Sequence, residues 1–307
     1  MQYWPRKRAL NILPSVNWDG IIKANSDKKL LGFIGYKVGM KSLYVKDNTP
    51  DSMTKNKRII IPVTIIECPP MKILSIRFYK NKKVISDILS NDLDKNLRKK
   101  IKMPKKLNKK IDDIKDFDDV RIIAYSLVKN TGIKKRPDII EIALSGSKED
   151  KLNFIKENLN KEINPQDVFN LKDLVDAHGL TKGKGLQGPV KRFGIGLRQH
   201  KSEKGQRKVG SIGPWHPARV TFRTPMAGQL GMFTRMVYNN KIIVIGNISK
   251  NDINSKSGFN NYGKINTNYI ILNGSVQGPS KRALILTHAL RKTRKQEKKN
   301  YEFIELR

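Results

Sequence analysis

Residues 181–235 limit the possible folds of this chain more than any other segment. They include twelve basic residues and a single acid, Glu203, together with ten glycines and four prolines. The segment has little of the apolar periodicity that builds a packed core. Because so dense a positive charge repels itself, it indicates a polyanionic partner that neutralises it, and the phosphate backbone of a nucleic acid is the natural candidate. We expect this segment to lie outside the core and to be largely disordered when free.

The charge of the whole chain points the same way. Lys and Arg number 62 against 27 Asp and Glu, which gives a net charge of +35. Nucleic-acid-binding proteins commonly carry such a surplus, whereas soluble enzymes of 307 residues rarely do. One other interpretation stays open, a cationic surface that serves solubility, and an acidic membrane is a further polyanion to consider. No apolar run approaches the roughly 18 residues needed to span a bilayer, and no apolar signal-peptide core follows Met1, so no membrane partner is expected.

Cys68 is the only cysteine in the chain. A disulfide within the chain is therefore impossible, and a cytoplasmic setting is favoured. The residue ends a β-branched run before Pro69 and Pro70, so we predict a buried, small apolar side chain at the end of a strand.

The order of the predicted elements indicates a mainly β protein, a β-barrel that carries an inserted α/β module and long irregular basic extensions. The predicted segments are an extended basic arm (1–20), a first barrel segment (21–79), the α/β insertion (80–164), a second barrel segment (165–182), a basic finger (183–235), a third barrel segment (236–290) and a basic tail (291–307) that is disordered when free. β-Branched runs predict strands at 58–67, 72–79, 121–128, 138–144, 235–247, 268–272 and 281–290.

Two helices are predicted within the insertion. Apolar residues at helical spacing predict the first, and they are Val84, Ile85, Ile88, Leu89 and Leu93. Ser147 and Asp150 form a capping-box pattern that predicts the start of the second, with Leu152, Ile155 and Leu159 on its apolar face. Residues 166–180 stay ambiguous between a helix at their start and a strand at their end.

No catalytic, cofactor or metal site is predicted. Residues 183–188 fit the pattern G-x-G-x-x-G, but Pro189 and then Phe193-Gly194-Ile195-Gly196 follow, and that sequence will not propagate the helix that a dinucleotide site needs. The four histidines, His178, His200, His216 and His288, show no pair at metal-ligand spacing, and one cysteine adds little.

Trp215 lies within Gly213-Pro214-Trp215-His216-Pro217. The two prolines exclude a helix and a central strand, so we predict a stiff turn that presents the indole outward. Tryptophan is usually buried, and a core position is the alternative. Because the neighbouring sequence supplies few apolar partners, stacking of Trp215 on RNA bases or sugars is favoured.

Several segments resemble the ribosomal large-subunit protein L-three family in its archaeal and eukaryotic form. The similar segments are residues 5–9 (PRKRA), 33–40 (FIGYKVGM), 207–217 (RKVGSIGPWHP), 227–231 (AGQLG) and 276–279 (VQGP). Residues at the spacing of the family signature are Phe169, Asp176, Gly179, Thr181, Gly183, Lys184, Gly185 and Gly188. The resemblance covers nearly the whole chain.

The resemblance implies a translation-protein-type β-barrel and a structural role in the large ribosomal subunit, in the cytoplasm. It implies early binding to large-subunit ribosomal RNA, a finger that extends toward the peptidyl transferase centre with Trp215 near its tip, and neighbouring ribosomal proteins as further partners. No small-molecule substrate is implied. Glu203 stands where the eukaryotic family has a methylated histidine, so that modification is not carried over.

The predicted RNA-binding residues lie in the arm, the finger and its flanks. They are Arg6, Lys7, Arg8, Lys182, Lys184, Lys191, Arg192, Arg198, Lys204, Arg207, Lys208, Trp215, His216, Arg219, Arg223 and Arg235. Arginines suit this role because their guanidinium groups bind phosphate oxygens in a bidentate manner. The alternatives are an RNA-modifying enzyme with a basic channel, which lacks a credible catalytic set here, and a DNA-packaging protein.

Overall fold

A computed structural model of the chain describes residues 9–25, 29–104, 111, 114 and 116–307. The strands are β1 (Gly32–Asp47), β2 (Arg58–Glu67), β3 (Met71–Lys80), β4 (Lys83–Leu89), β5 (Asp119–Ser126), β6 (Ile139–Ala143), β7 (Leu174–Leu180), β8 (Leu186–Gln187), β9 (Gly228–Gln229), β10 (Thr234–Asn247), β11 (Asn268–Asn273), β12 (Ala283–His288) and β13 (Tyr301–Leu306). The helices are α1 (Trp18–Ala24), α2 (Lys148–Asn158), α3 (Pro189–Phe193) and α4 (Arg294–Lys298), and 3₁₀ turns lie at Lys95–Lys99, Val128–Thr131 and Pro165–Asp167.

Six antiparallel strands close into a barrel in the order β1-β2-β11-β10-β7-β12, with β12 pairing back onto β1. The length of β1 makes closure possible. Its first residues, 32–36, pair with β12, and residues from Tyr36 onward pair with β2. Closure leaves these strands without a free edge. The predicted mainly β fold with a barrel is confirmed.

Strands β11 and β12 are buried on both faces over almost their whole length, which explains why their sequences are nearly continuous apolar runs. Ile66 and Ile270 pack in a large cluster that also includes the residues of a second sheet. Their neighbours Ile65 and Ile271 face the other way, into a smaller cluster completed by the loop after β10. Cys68 is fully buried, as predicted.

The second sheet has the order β4-β3-β5-β6, and α2 packs against it. The predicted helix at 84–93 is wrong, because β4 pairs with β3 in a hairpin. Asn81 and Lys82 form its turn with φ values of 50° and 61°, which match the two-residue turns that β-hairpins prefer. β3 belongs to this sheet, although the sequence analysis placed residues 72–79 in the barrel.

The start of α2 confirms the predicted capping box. The Ser147 hydroxyl accepts from the Asp150 amide, and the Asp150 carboxylate accepts from the Ser147 amide. The ambiguous residues divide into a 3₁₀ turn at Pro165–Asp167 and the buried strand β7. Among the described helices, none is long and apolar enough to cross a membrane.

The prediction of a disordered tail is wrong for its end. β13 pairs with the second half of β1, where β12 no longer covers it. The Lys241 ammonium, buried at β10, donates to the carbonyl oxygens of Gln296, Glu297 and Lys299 and so holds α4 against the barrel. This strand was not predicted, because charged and apolar residues are mixed in it and form no clear β pattern. The other predicted domain boundaries stay predictions.

Candidate nucleic-acid interface

The finger leaves the barrel at the end of β7 and returns at the start of β10, and these two ends are paired to each other through Leu180 and Thr234. The Thr181 amide donates to the Phe233 carbonyl at 3.0 Å, and the Phe233 amide donates to the Thr181 hydroxyl at 3.1 Å. The root of the finger is therefore an extension of the barrel wall.

A short ladder continues this pairing away from the barrel. The Lys184 amide donates to the Leu230 carbonyl, and the Leu230 amide donates to the Gly185 carbonyl, both at 2.9 Å. Beyond them β8 pairs with β9. The ladder holds the outgoing and returning segments of the finger at a fixed separation where the finger joins the barrel.

Two of the predicted RNA-binding arginines brace the finger from within. The Arg192 guanidinium donates to the carbonyl oxygens of Gln229 at 3.2 Å and Met226 at 2.9 Å. The Arg198 guanidinium donates to the Val209 carbonyl, and its amide donates to the Gln206 carbonyl. Both side chains are half-buried, so they combine positive charge with a structural role.

None of residues 181–230 is buried. This span includes eleven basic residues and the single acid Glu203. The predicted RNA-binding residues that are exposed are Lys182, Lys184, Lys191, Lys204, Arg207, Lys208, Trp215, His216, Arg219, Arg223 and Arg235, the last just beyond this span. The finger thus presents many cationic side chains to solvent.

Apolar groups also face solvent near the midpoint of the finger's sequence. Trp215 is 88% exposed, and Phe222 is 67% exposed. A shallow cavity of about 360 Å³ is lined by Trp215, Pro214, Pro217, Arg219 and their neighbours. The prediction that the indole points outward is confirmed, whereas its stacking on RNA stays a prediction.

Lys37 and Gln277 fix the barrel end beneath the finger. The Lys37 ammonium is buried and donates to the carbonyl oxygens of Val276 and, at 3.1 Å, Gly278. Burial lowers the pKa of Lys37, and the positive charge of Lys182 lowers it further. The Gln277 amide donates to the carbonyl oxygens of Ala177 and Arg235. Sequence reasoning gave these two residues no role, although residues 276–279 were among the family-like segments.

Arg6, Lys7 and Arg8 lie outside the described residues. The first described residue, Ala9, donates its amide to the Met232 carbonyl at 3.0 Å. This contact brings the N-terminal segment to the root of the finger.

The described residues contain no group of three or more His, Cys, Asp or Glu that could hold a metal ion. Two of the four histidines are barrel residues. His178 is buried, its Nε2 lies 3.1 Å from the Thr287 hydroxyl, and burial lowers its pKa to about 4. His288 is buried against the Phe169 ring.

Comparison with known proteins identifies the family. The family model described as Ribosomal protein L3 matches residues 1–307. The chain belongs to the ribosomal protein L3 family. The resemblance read from the sequence is thereby confirmed.

Curated members of the family include close archaeal relatives. The large ribosomal subunit protein uL3 of Methanosphaera stadtmanae is 42% identical, over 95% of this chain and 90% of its own length. The protein of the same name from Methanocaldococcus jannaschii is 40% identical over the same shares. That of Picrophilus torridus is 38% identical, over 96% of this chain and 91% of its own. These relatives are ribosomal proteins and not enzymes.

Proposed function

We propose that this protein is a structural component of the large ribosomal subunit, in the cytoplasm, that binds large-subunit ribosomal RNA through its finger. The observation that carries the proposal is the span 181–230, in which no residue is buried and eleven basic residues face one acid. Isolated surface charges contribute little to stability. Several charges set against RNA phosphates release counterions, and that release favours binding strongly.

The barrel and the root give the finger its direction. The pairing at Thr181 and Phe233 and the ladder at Lys184 and Leu230 join the finger to a closed sheet. A cationic element on such a support positions RNA helices without taking part in chemistry. We propose that the finger extends toward the peptidyl transferase centre with Trp215 near its tip, and that the protein acts early in subunit assembly beside other ribosomal proteins.

Salt-dependent binding tests the RNA contact. The full chain is titrated with a large-subunit rRNA transcript at several salt concentrations, with the variant Arg207→Gln, Lys208→Gln, Arg219→Gln alongside. We expect the log–log salt slope to fall by about 2 to 3, since each lost phosphate contact removes about one counterion. An unchanged slope would contradict the assignment.

The matched control removes three exposed lysines from the loop that follows β10, in the variant Lys250→Gln, Lys256→Gln, Lys264→Gln. That loop lies at the opposite end of β10 from the finger. We expect it to keep the wild-type slope. Competition with duplex DNA separates this function from DNA packaging, and a methyl-transfer assay addresses the RNA-modifying alternative.

Directed probing tests the location of the tip. Cys68 is fully buried, so a cysteine introduced by Ser211→Cys can be labelled selectively with an iron chelate. In reconstituted subunits we expect cleavage of the rRNA around the peptidyl transferase centre from this position. Ser257→Cys, in the loop after β10, is the control and should cleave elsewhere. Cleavage of the same nucleotides from both positions would reject the proposed location.

A further inference from the structure

A second cationic site lies outside the finger, in a cleft between the N-terminal segment and the insertion. The cleft has a volume of about 630 Å³. Its lining includes Leu10 and Ile12 on one side and Lys100, Lys134 and Arg136 on the other. Its three basic residues come from two distant parts of the chain, the end of the 3₁₀ turn at Lys95–Lys99 and the loop before β6.

Two of these cations are available to a ligand. Lys100 and Arg136 are exposed and form no ion pair with any residue in the described ranges. Lys134 instead pairs with Asp138, the one acid of the lining. The internal charges of the cleft therefore cancel at that pair, and Lys100 and Arg136 remain as a net charge of about +2 facing the opening.

The wall that carries Arg136 is held in place by the barrel. The Tyr36 hydroxyl, from β1, donates to the Asp138 carboxylate at 2.6 Å and lies 2.7 Å from the Ser126 hydroxyl. The Ser126 amide donates to the Asp138 carbonyl at 3.0 Å. Pro137 and Asp138 are buried, so the loop is fixed before any ligand arrives. A preformed wall reduces the ordering cost of binding.

The other wall is formed by Leu10, Asn11, Ile12 and Leu13 and is open to solvent. Leu10 is 100% exposed and Ile12 is 54% exposed. A surface with cations on one side and aliphatic side chains on the other matches a nucleotide, because the cations suit its phosphate and the aliphatic groups can pack on the face of its base. The volume falls within the range of ligand sites, and it suits a nucleotide or two better than the broad surface of a folded protein.

We propose that this cleft binds a short single-stranded segment of RNA, with phosphates on Lys100 and Arg136 and a base against Leu10 and Ile12. The proposal rests on the proposed function, because it takes the same rRNA as the ligand. It adds a contact on the insertion side, independent of the finger.

Binding of the full chain to the rRNA transcript tests the cleft. In the variant Lys100→Gln, Arg136→Gln we expect the salt slope to fall by about 1.4, the value for two phosphate contacts on a single strand. The double variant Lys256→Gln, Lys264→Gln is the matched control and should keep the wild-type slope. The variant Leu10→Ala, Ile12→Ala should weaken binding several-fold without changing the slope, because it removes base contacts and no charge. Thermal unfolding verifies that all variants are folded.

Hydroxyl-radical footprinting separates this site from the finger. We expect the cleft variant to lose protection at rRNA nucleotides that the finger variant still protects. If the finger variant changes binding and the cleft variant changes neither slope nor footprint, the cleft proposal is overturned and the proposed function stands. If the cleft variant binds rRNA normally but fails to take up a ribosomal protein during reconstitution, the occupant is an acidic protein segment and the RNA assignment is wrong. If both the cleft variant and the finger variant bind rRNA as the wild type does, the cleft proposal and the proposed function both fail.

Discussion

The α-carbon of Gly231 lies so close to the Lys182 carbonyl oxygen that a β-carbon built on Gly231 would be 2.0 Å from that oxygen. Gly231 also has a φ of +78°, a conformation that costs other residues about 1 to 2 kcal/mol. The outgoing and returning segments of the finger therefore meet at a point where only glycine fits. This close approach adds to the hydrogen bonds that hold the root together.

We expect Gly231→Ala to separate the two chains of the root. Because the substitution changes no charge, a drop in rRNA affinity would come from the altered direction of the finger. Hydrogen exchange measures the separation directly, since the amides of Lys184 and Leu230 donate across the ladder and should exchange faster.

Gly210→Ala is the matched control within the finger. A β-carbon at Gly210 meets no atom within 4 Å, and its φ is outside the left-handed region. We expect wild-type exchange and affinity from it. Equal behaviour of the two variants would mean that the root tolerates a side chain at position 231.

The fold could be predicted where one local signal was enough. The β-branched runs predicted β2 and β11 closely, and Ser147 with Asp150 predicted the start of α2. The error at 84–93 arose because a few apolar residues on an edge strand can imitate helical spacing. Val84 and Ile85 are both about half exposed, so no core face constrains their period. The turn at Asn81 was the local signal that favours a hairpin.

The candidate interface was predictable in composition but not in arrangement. Charge and glycine content in 181–235 indicated an element outside the core. The internal bonds of Arg192, and the positions of Lys37 and Gln277 beneath the root, depend on pairings between residues far apart in sequence. Lys100 and Arg136 likewise line one cleft although they are distant in sequence, and no local pattern predicts that they lie together.

Trp215→Ala should leave the protein folded. With 88% of the residue exposed, we expect a change in unfolding free energy within about 0.5 kcal/mol, as for most surface substitutions. The expected loss is in the subunit, where the rRNA around the peptidyl transferase centre should be disturbed in chemical probing. Trp18→Ala supplies the contrast, because Trp18 is 4% exposed and its removal should cost about 3 to 5 kcal/mol. A large drop in the melting temperature of the Trp215 variant would contradict the exposed position and indicate that the indole packs in the core.

Lys241→Met should release the C-terminal strand from the barrel. The buried ammonium donates to three carbonyl oxygens around α4, and the loss of these hydrogen bonds should cost about 1 to 3 kcal/mol. We expect faster amide exchange across Tyr301–Leu306 while the closed barrel keeps its protection. Lys250→Met, at an exposed position beyond β10, is the control. Unchanged exchange in β13 would show that its pairing with β1 is sufficient to hold the tail.

His178 should make stability depend on pH. Burial lowers its pKa from 6.5 to about 4, so the unfolded chain binds a proton at a higher pH than the folded protein does. The contribution of the neutral ring is fully present above pH 6.5 and is lost as the pH falls toward 4, and the difference between the two pKa values corresponds to at most about 3 kcal/mol.

His178→Gln keeps a polar group beside the Thr287 hydroxyl and removes the titration. Chemical denaturation between pH 4 and 7 should therefore show a smaller loss of stability for this variant than for the wild type. His216→Gln, at an exposed position of the finger, should follow the wild-type profile, and a His178→Gln profile parallel to it would contradict the assignment of the titration to the barrel histidine.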